Sequence, residues 1–248
     1  MSKTDNAKAF LHDLPRLKPD ESFSFACHPQ VACFNECCAD LDLVLHPYDV
    51  LRLRRSLKLG DRQFIERFTE AEVARGTGFP QISLKMRDDK KASCPFVGEQ
   101  GCSVYADRPG ACRIYPLGRG AGLDKNGKVD VEYVQVKEDH CLGFSEDKSW
   151  TIDTWLQDQG LSEYLDFNDR HMKLMARWLE RKVALDKNQF TLVFLALYRL
   201  DDFAKFIHQE DLFANFSVAK ERHQAILNDE VERLRFAIEF LEAILFTN

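Results

Sequence analysis

The chain has 248 residues, 45% hydrophobic and 30% charged, with a formal net charge of −6. That length buries one sizeable core, or a small domain beside a helical one, and the acidic balance argues against non-specific nucleic-acid binding. No window approaches the roughly 20 apolar residues of a membrane span, and the opening MSKTDNAKAFLHDLPRL has no apolar run of secretory-signal length, so the expectation is a cytoplasmic protein with no membrane or nucleic-acid partner.

Residues 1–24 read as a polar lead-in with a short helix over 6–14, broken by Pro15 and Pro19. The stretch CHPQVACFNECC follows, with Cys27, Cys33, Cys37 and Cys38 in a loop. A helix starts at Pro47 or Asp49 and stops at Gly60. A second is expected over 61–74, with Asp61 as N-cap and Phe64, Ile65 and Phe68 facing inward. Residues 75–80 form a turn. Residues 81–86 alternate as a strand with Ile82, Leu84 and Met86 on one face. Residues 88–91 make a charged turn.

The second cysteine block, SCPFVGEQGCSVYADRPGACRIYPL, carries Cys94, Cys102 and Cys112. It suggests a short strand at 103–105. Residues 118–127 read as a glycine-rich loop, and 128–137 (KVDVEYVQVK) as a strand that delivers His140 and Cys141. From Trp150 the pattern is helical: 151–159, 161–185, 188–215 and 217–245, with Ser162, Asn188 and Ser217 as N-caps. The fold class is therefore α+β and predominantly helical. A cysteine-rich metal-bound module with short strands (22–148) precedes an all-helical part (149–248), which packs with it as one domain or offers a face to a protein partner.

The last hundred residues contain no cysteine. Eight thiols in a reducing compartment point to metal rather than to disulfides. Thiolates are soft ligands for zinc, iron–sulfur clusters and copper(I). The spacing is not that of a zinc finger, whose cysteine pairs stand two to four residues apart. Adjacent side chains leave the backbone in different directions, so Cys37 and Cys38 suit two ions better than one. Two four-cysteine sites, or one cluster with four thiols left over, both remain open. Arg108 and Arg113 flank Cys112 and are candidates to offset thiolate charge. Among the histidines His28, His46 and His140, the last is the best ligand candidate. Tyr105, Tyr115 and Tyr133 are the tyrosines to watch if the metal is redox-active.

These residues resemble the YkgJ family of cysteine-cluster proteins. The matching positions are Cys27, Cys33, Cys37, Cys38, Cys94, Pro95, Phe96, Gly101, Cys102, Tyr105, Arg108, Pro109, Cys112, Arg113, Pro116 and Cys141. Cys27 and Cys33 stand further apart than in the tightest form of the motif. The resemblance implies a zinc- or iron-chelating domain over about 25–145, with the eight cysteines holding zinc or an iron–sulfur cluster. A branch of similar proteins, the flagellin lysine N-methylases, makes a protein-modifying enzyme the alternative. Against it, no glycine-rich strand–turn–helix nucleotide signature is present; GRGAG at 118–122 reads better as a flexible loop.

Overall fold

The computed structural model describes residues 14–246; the expected helix over 6–14 lies outside the described residues but for Leu14. The fold is α+β and dominated by helix, with short strands early and a helical C-terminal part. The chain divides into two compact units. The described part of the first comprises residues 14–41 and 86–165, and that of the second 42–85 and 166–246.

The first unit is built on an antiparallel hairpin, Leu117–Leu123 with Val129–Gln135. The valine- and tyrosine-rich strand is where its β propensity puts it. Its partner is the segment read as a glycine loop. A Cβ on Gly120 would stand 3.0 Å from the half-exposed Glu132 side chain across the ladder, which would have to shift to admit it. The turn is closed by the Asp124 carboxylate, which accepts from the Asn126 and Lys128 amides at 2.8 Å each. Phe23, Phe25, Leu117, Ile152 and Trp155 form the core. Phe25 meets Tyr115, Phe144 and Trp155 edge-on at 5.4–5.6 Å, contacts that add about 0.5–1.5 kcal/mol each beyond area burial. The helix expected over 151–159 is Ile152–Asp158, with Thr151 as its N-cap.

One further expectation is corrected in this unit. The strand sought at 103–105 is instead Gly101–Cys102, paired with Val97–Gly98, and Tyr105–Asp107 is a 3-10 turn. Gly101, at φ +107°, makes that tight return.

In the second unit Pro80–Leu84 is the middle strand of three, between Val44–Leu45 and Thr69–Val73. Ile82 and Leu84 face the core, and Met86 lies past the strand end. The helix Pro47–Ser56 starts at Pro47, where the missing amide costs nothing. The next helix is only Asp61–Phe68, and its N-cap is Gly60. Residues 69–73 leave the helix because Thr69–Val73 completes the sheet against Pro80–Leu84; tertiary pairing overrides a helical period there. The Asp61 carboxylate has another task. It accepts the Asp201 amide at 2.6 Å, while the Asp201 carboxylate accepts the Asp61 amide at 3.2 Å. Two helix N-termini thus cap each other.

The long helical runs are shorter than their periodicity suggests. Ser162–Leu179 ends before Leu185. Residues 188–215 are three helices, Lys187–Tyr198, Leu200–Gln209 and Leu212–Asn215, broken at Arg199 and at Asp211, which has φ +44°. Residues 217–245 are Lys220–Asn228 and Glu230–Phe246, broken at extended Asp229. Asp186, not Asn188, caps the first of these, accepting from the Asn188 and Gln189 amides, and Ala219, not Ser217, precedes Lys220–Asn228 as its N-cap.

His171 lies in this unit, 3% exposed, with neither ring nitrogen hydrogen-bonded among the described residues. Burial, then His46 at 5.8 Å between ring centres, depresses its pKa to about 3. A depressed histidine contributes stability above its unfolded pKa and loses it as pH falls through about 6.5 toward 3. Between pH 7 and 5 the wild type should therefore lose about 2 kcal/mol more than H171F, read as the difference between their urea midpoints multiplied by m. Parallel pH profiles would show that His171 charges freely in the folded state.

Candidate metal centre

All eight cysteines fall in the first unit, and none is in a disulfide. The chain brings them together with a few backbone contacts. Trp150 donates its indole N–H to the Phe25 carbonyl at 2.8 Å, and the Ala26 amide donates to Gly143 at 3.0 Å. This sets Cys27 beside the segment that follows Cys141. Gly143 permits the approach, since a Cβ there would come within 2.6 Å of the Ala26 oxygen. The Leu142 amide then donates to the Cys33 sulfur at 3.2 Å, as amides do toward thiolates. The cysteine loop itself turns by repeated short backbone bonds, Val31 to His28, Phe34 to Val31, Glu36 to Cys33 and Cys38 to Asn35.

The second block docks on the same loop. The Cys94 amide donates to the Cys38 carbonyl at 2.8 Å, and Ala39 bridges Ser93. Asn35 donates to the Gly98 carbonyl at 3.2 Å, and Phe34 packs where a Cβ on Gly101 would otherwise sit. The small hairpin then returns Cys102 opposite Val97, three residues after Cys94. Cys112 lies on the one-turn helix Gly110–Ile114.

The thiols lie close enough to influence one another electrostatically. Burial and the like-charged neighbours Cys37, Cys33 and Cys141 push Cys27 up to about 11. Cys38 is raised by its hydrogen bond with Cys37 and by burial, and then by Cys37, Cys94 and Cys112. Cys94 is raised by burial, opposed by backbone amides, and further by Cys102. Cys27 thus has Cys37, Cys33 and Cys141 as neighbours, Cys38 has Cys37, Cys94 and Cys112, and Cys94 has Cys102. Cys37 accepts from Cys38, which lowers it to about 7 against burial and the Glu138 charge. Among the described residues no three cysteine, histidine or carboxylate side chains already stand as ligands to one ion.

The surroundings differ from thiol to thiol. His140 pairs with Glu138 at 3.6 Å, and both act on Cys37. Tyr115 is raised by burial and by its contacts with Cys141 and Glu138. His28 bonds Glu146 at 3.1 Å, whereas His46 belongs to the second unit. Arg108, 9% exposed, bonds the Tyr105 carbonyl at 2.8 Å and the Gln159 side chain. Its guanidinium stacks 3.8 Å from the Tyr105 ring centre. Arg113 holds the Arg108 carbonyl at 3.1 Å and the Gln159 carbonyl at 2.7 Å. Tyr133 lines the aromatic core. Sequence reasoning did not single out Arg87, Glu138 or Gln159. Arg87 bonds the Pro95 and Val97 carbonyls at 2.8 and 3.0 Å; nothing in the local sequence distinguishes it from a surface arginine.

Residues 26–142 match the family model CxxCxxCC, described as "Putative zinc- or iron-chelating domain". The matched segment holds all eight cysteines, in agreement with the resemblance read from the motifs. No curated protein and no solved structure matches the chain. Among the described residues no helix is long and apolar enough to cross a membrane.

Proposed function

We propose that the domain binds two soft metal ions, zinc or ferrous iron, each in its own set of four thiolates. Cys27, Cys33, Cys37 and Cys141 would hold one, and Cys38, Cys94, Cys102 and Cys112 the other. The observation that supports this reading is that Cys27 feels Cys37, Cys33 and Cys141, whereas Cys38 feels Cys94 and Cys112 besides its neighbour Cys37, and Cys94 feels Cys102. The donor set fits: all-sulfur ligation suits these ions, and four sulfurs complete a tetrahedral site. Closing either set requires rearrangement, since among the described residues no three candidate ligands stand in place for one ion. When bound, the ions supply cross-links between turns that have little apolar core of their own. Closed four-thiolate sites are structural in character, and a reducing cytoplasm is the compartment that keeps such thiols available.

The test is metal content of anaerobically purified protein, with acid-labile sulfide measured alongside. Two ions per chain are expected, without sulfide. C141S and C112S should each retain one. Loss of both ions from either variant, or four irons with sulfide, would replace two separate sites by a shared cluster.

A further inference from the structure

The strand Thr69–Val73 is an edge: its sheet places Pro80–Leu84 on one side of it and, among the described residues, no strand on the other. The register fixes which backbone groups that edge shows. The Lys85 amide donates to the Phe68 carbonyl at 2.8 Å, and the Ala74 amide donates to the Phe79 carbonyl at 2.7 Å. These hydrogen-bonded pairs flank the register that runs from Thr69 opposite Leu84 to Val73 opposite Pro80. Bonded and non-bonded pairs alternate along an antiparallel ladder. Glu70 and Glu72 therefore direct their backbone groups to Ser83 and Gln81, and Ala71 and Val73 turn theirs outward. Pro80 agrees with this, since it has no amide to give to Val73. The Thr69 amide is taken by the Ile65 carbonyl, so the open run extends from the Thr69 carbonyl to Val73.

The side chains alternate with the same period. Ala71 and Val73 share the face of Ile82 and Pro80, which are buried. At the edge that cover runs out: Ala71 is exposed and Val73 is 62% exposed. Leu179 and Val183 are exposed as well, in a segment that packs on the turn after Val73. A Cβ on Gly76 would stand 3.5 Å from Leu179, and the Leu185 amide donates to the Thr77 carbonyl at 3.0 Å. Glu70 and Glu72 occupy the other face, exposed and opposite uncharged Ser83 and Gln81. Among the described residues neither carboxylate pairs with a cation. Edges that are only protected from pairing carry lysine, proline or a bulge, and TEAEV has none of these. A second copy paired antiparallel about Ala71 would set Glu70 against Glu72 twice, and like charges directly opposite are unfavourable.

We infer that the edge Thr69–Val73 is a docking site for an extended segment of a partner protein in which apolar and basic residues alternate. That segment adds a strand to the sheet and exchanges backbone hydrogen bonds with Ala71 and Val73. Its apolar side chains lie beside Ala71 and Val73, and its lysines or arginines lie beside Glu70 and Glu72.

The experiment titrates the full, reduced chain with a short end-blocked peptide of alternating lysine and valine, and reads amide exchange residue by residue by NMR. Exchange at the Ala71 and Val73 amides should slow about tenfold or more at saturation, and that at Glu70 and Glu72, already in the ladder, should not change. A glutamate–valine peptide should bind about tenfold more weakly or worse, and E70K/E72K should reverse the preference. A71P removes an outward donor and no ladder bond, so it should abolish binding at an unchanged urea midpoint. If A71P lowers that midpoint, the lysine–valine peptide N-methylated at its valines puts the same question to the wild type, and it should not bind. No binding by the lysine–valine peptide, binding without slower exchange at Ala71 and Val73, or equal affinity for the two peptides would overturn the inference. So would binding to a stable A71P or binding of the N-methylated peptide. A wild type that sediments as a dimer, with Ala71 and Val73 protected before any peptide is added, would assign the edge to a second copy instead.

Discussion

Stripping metal from the reduced protein is expected to unfold residues 27–40 and 93–116 and to leave the helix Glu230–Phe246 intact. Of residues 27–40 only Val31 is buried, and the segment is a series of turns. Its backbone is held by bonds such as Leu142 to Cys33 and Cys94 to Cys38, which join segments far apart in sequence. Ordering that many residues costs about 1–2 kcal/mol of backbone entropy each, and so little apolar burial cannot offset it. Zinc on structural thiolate sites contributes about 10–16 kcal/mol in small peptides, comparable with the whole stability of a typical domain. The effect should therefore be large. Amide hydrogen exchange read by peptide is the suitable measure: peptides covering 27–40 and 93–116 should exchange within seconds after stripping and regain protection when zinc or ferrous iron returns. Peptides from Glu230–Phe246, where Leu234, Ala237, Ile238 and Leu241 are at most 2% exposed, should not change. Protection in 27–40 that survives stripping would mean the loop is held by protein contacts alone.

Which thiols exist is written in the chain; which ones meet is not. The eight candidates could be named from cysteine content, and adjacency of Cys37 and Cys38 hinted at a division. Which thiols come near one another depends on returns of the chain, through the Val97–Cys102 hairpin and the Ala26–Gly143 contact, and neither leaves a periodic signature. The same limit applies to the fold. Val129–Gln135 was legible because its residues are strong strand formers, but its partner Leu117–Leu123 was not, because glycines Gly118, Gly120 and Gly122 carry no propensity toward a strand. In the helical part the apolar period runs straight through Arg199, Asp211 and Asp229. No glycine or proline marks those breaks, and both flanks of each still turn an apolar face to one core, so periodicity alone reports a continuous helix. Asp61 was placed at the right helix end, but its partner Asp201 lies 140 residues away, beyond any local rule.

That partner is the starting point for the second large effect, which lies in the second unit. Arg54 is 4% exposed and pairs with Asp61 at 2.5 Å, with Glu230, and with Asp201 at 3.8 Å. Asp61 is itself 2% exposed. Burial pushes its carboxyl up to about 6 despite the opposing Arg54 charge and the Asp201 amide. A raised carboxyl contributes stability below its unfolded pKa near 4, and that contribution is lost as pH rises through 6. At neutral pH the ionised Asp61 is therefore held in place by Arg54. R54M removes the cation and leaves the carboxylate buried, and should cost about 3–5 kcal/mol. D61N keeps an oxygen for the Asp201 amide and leaves Arg54 with Glu230, so it should cost less. The double variant R54M/D61N should then be more stable than R54M, because the stranded charge is gone. In a double-mutant cycle the two changes should couple by about 0.5–3 kcal/mol, read from urea midpoints at pH 7. The loss in R54M should also shrink as pH falls toward 5, where Asp61 takes up its proton. If R54M cost under about 1 kcal/mol, or D61N failed to rescue it, the charge on Asp61 would not be what Arg54 holds in place, and its value would lie in packing of the aliphatic stem.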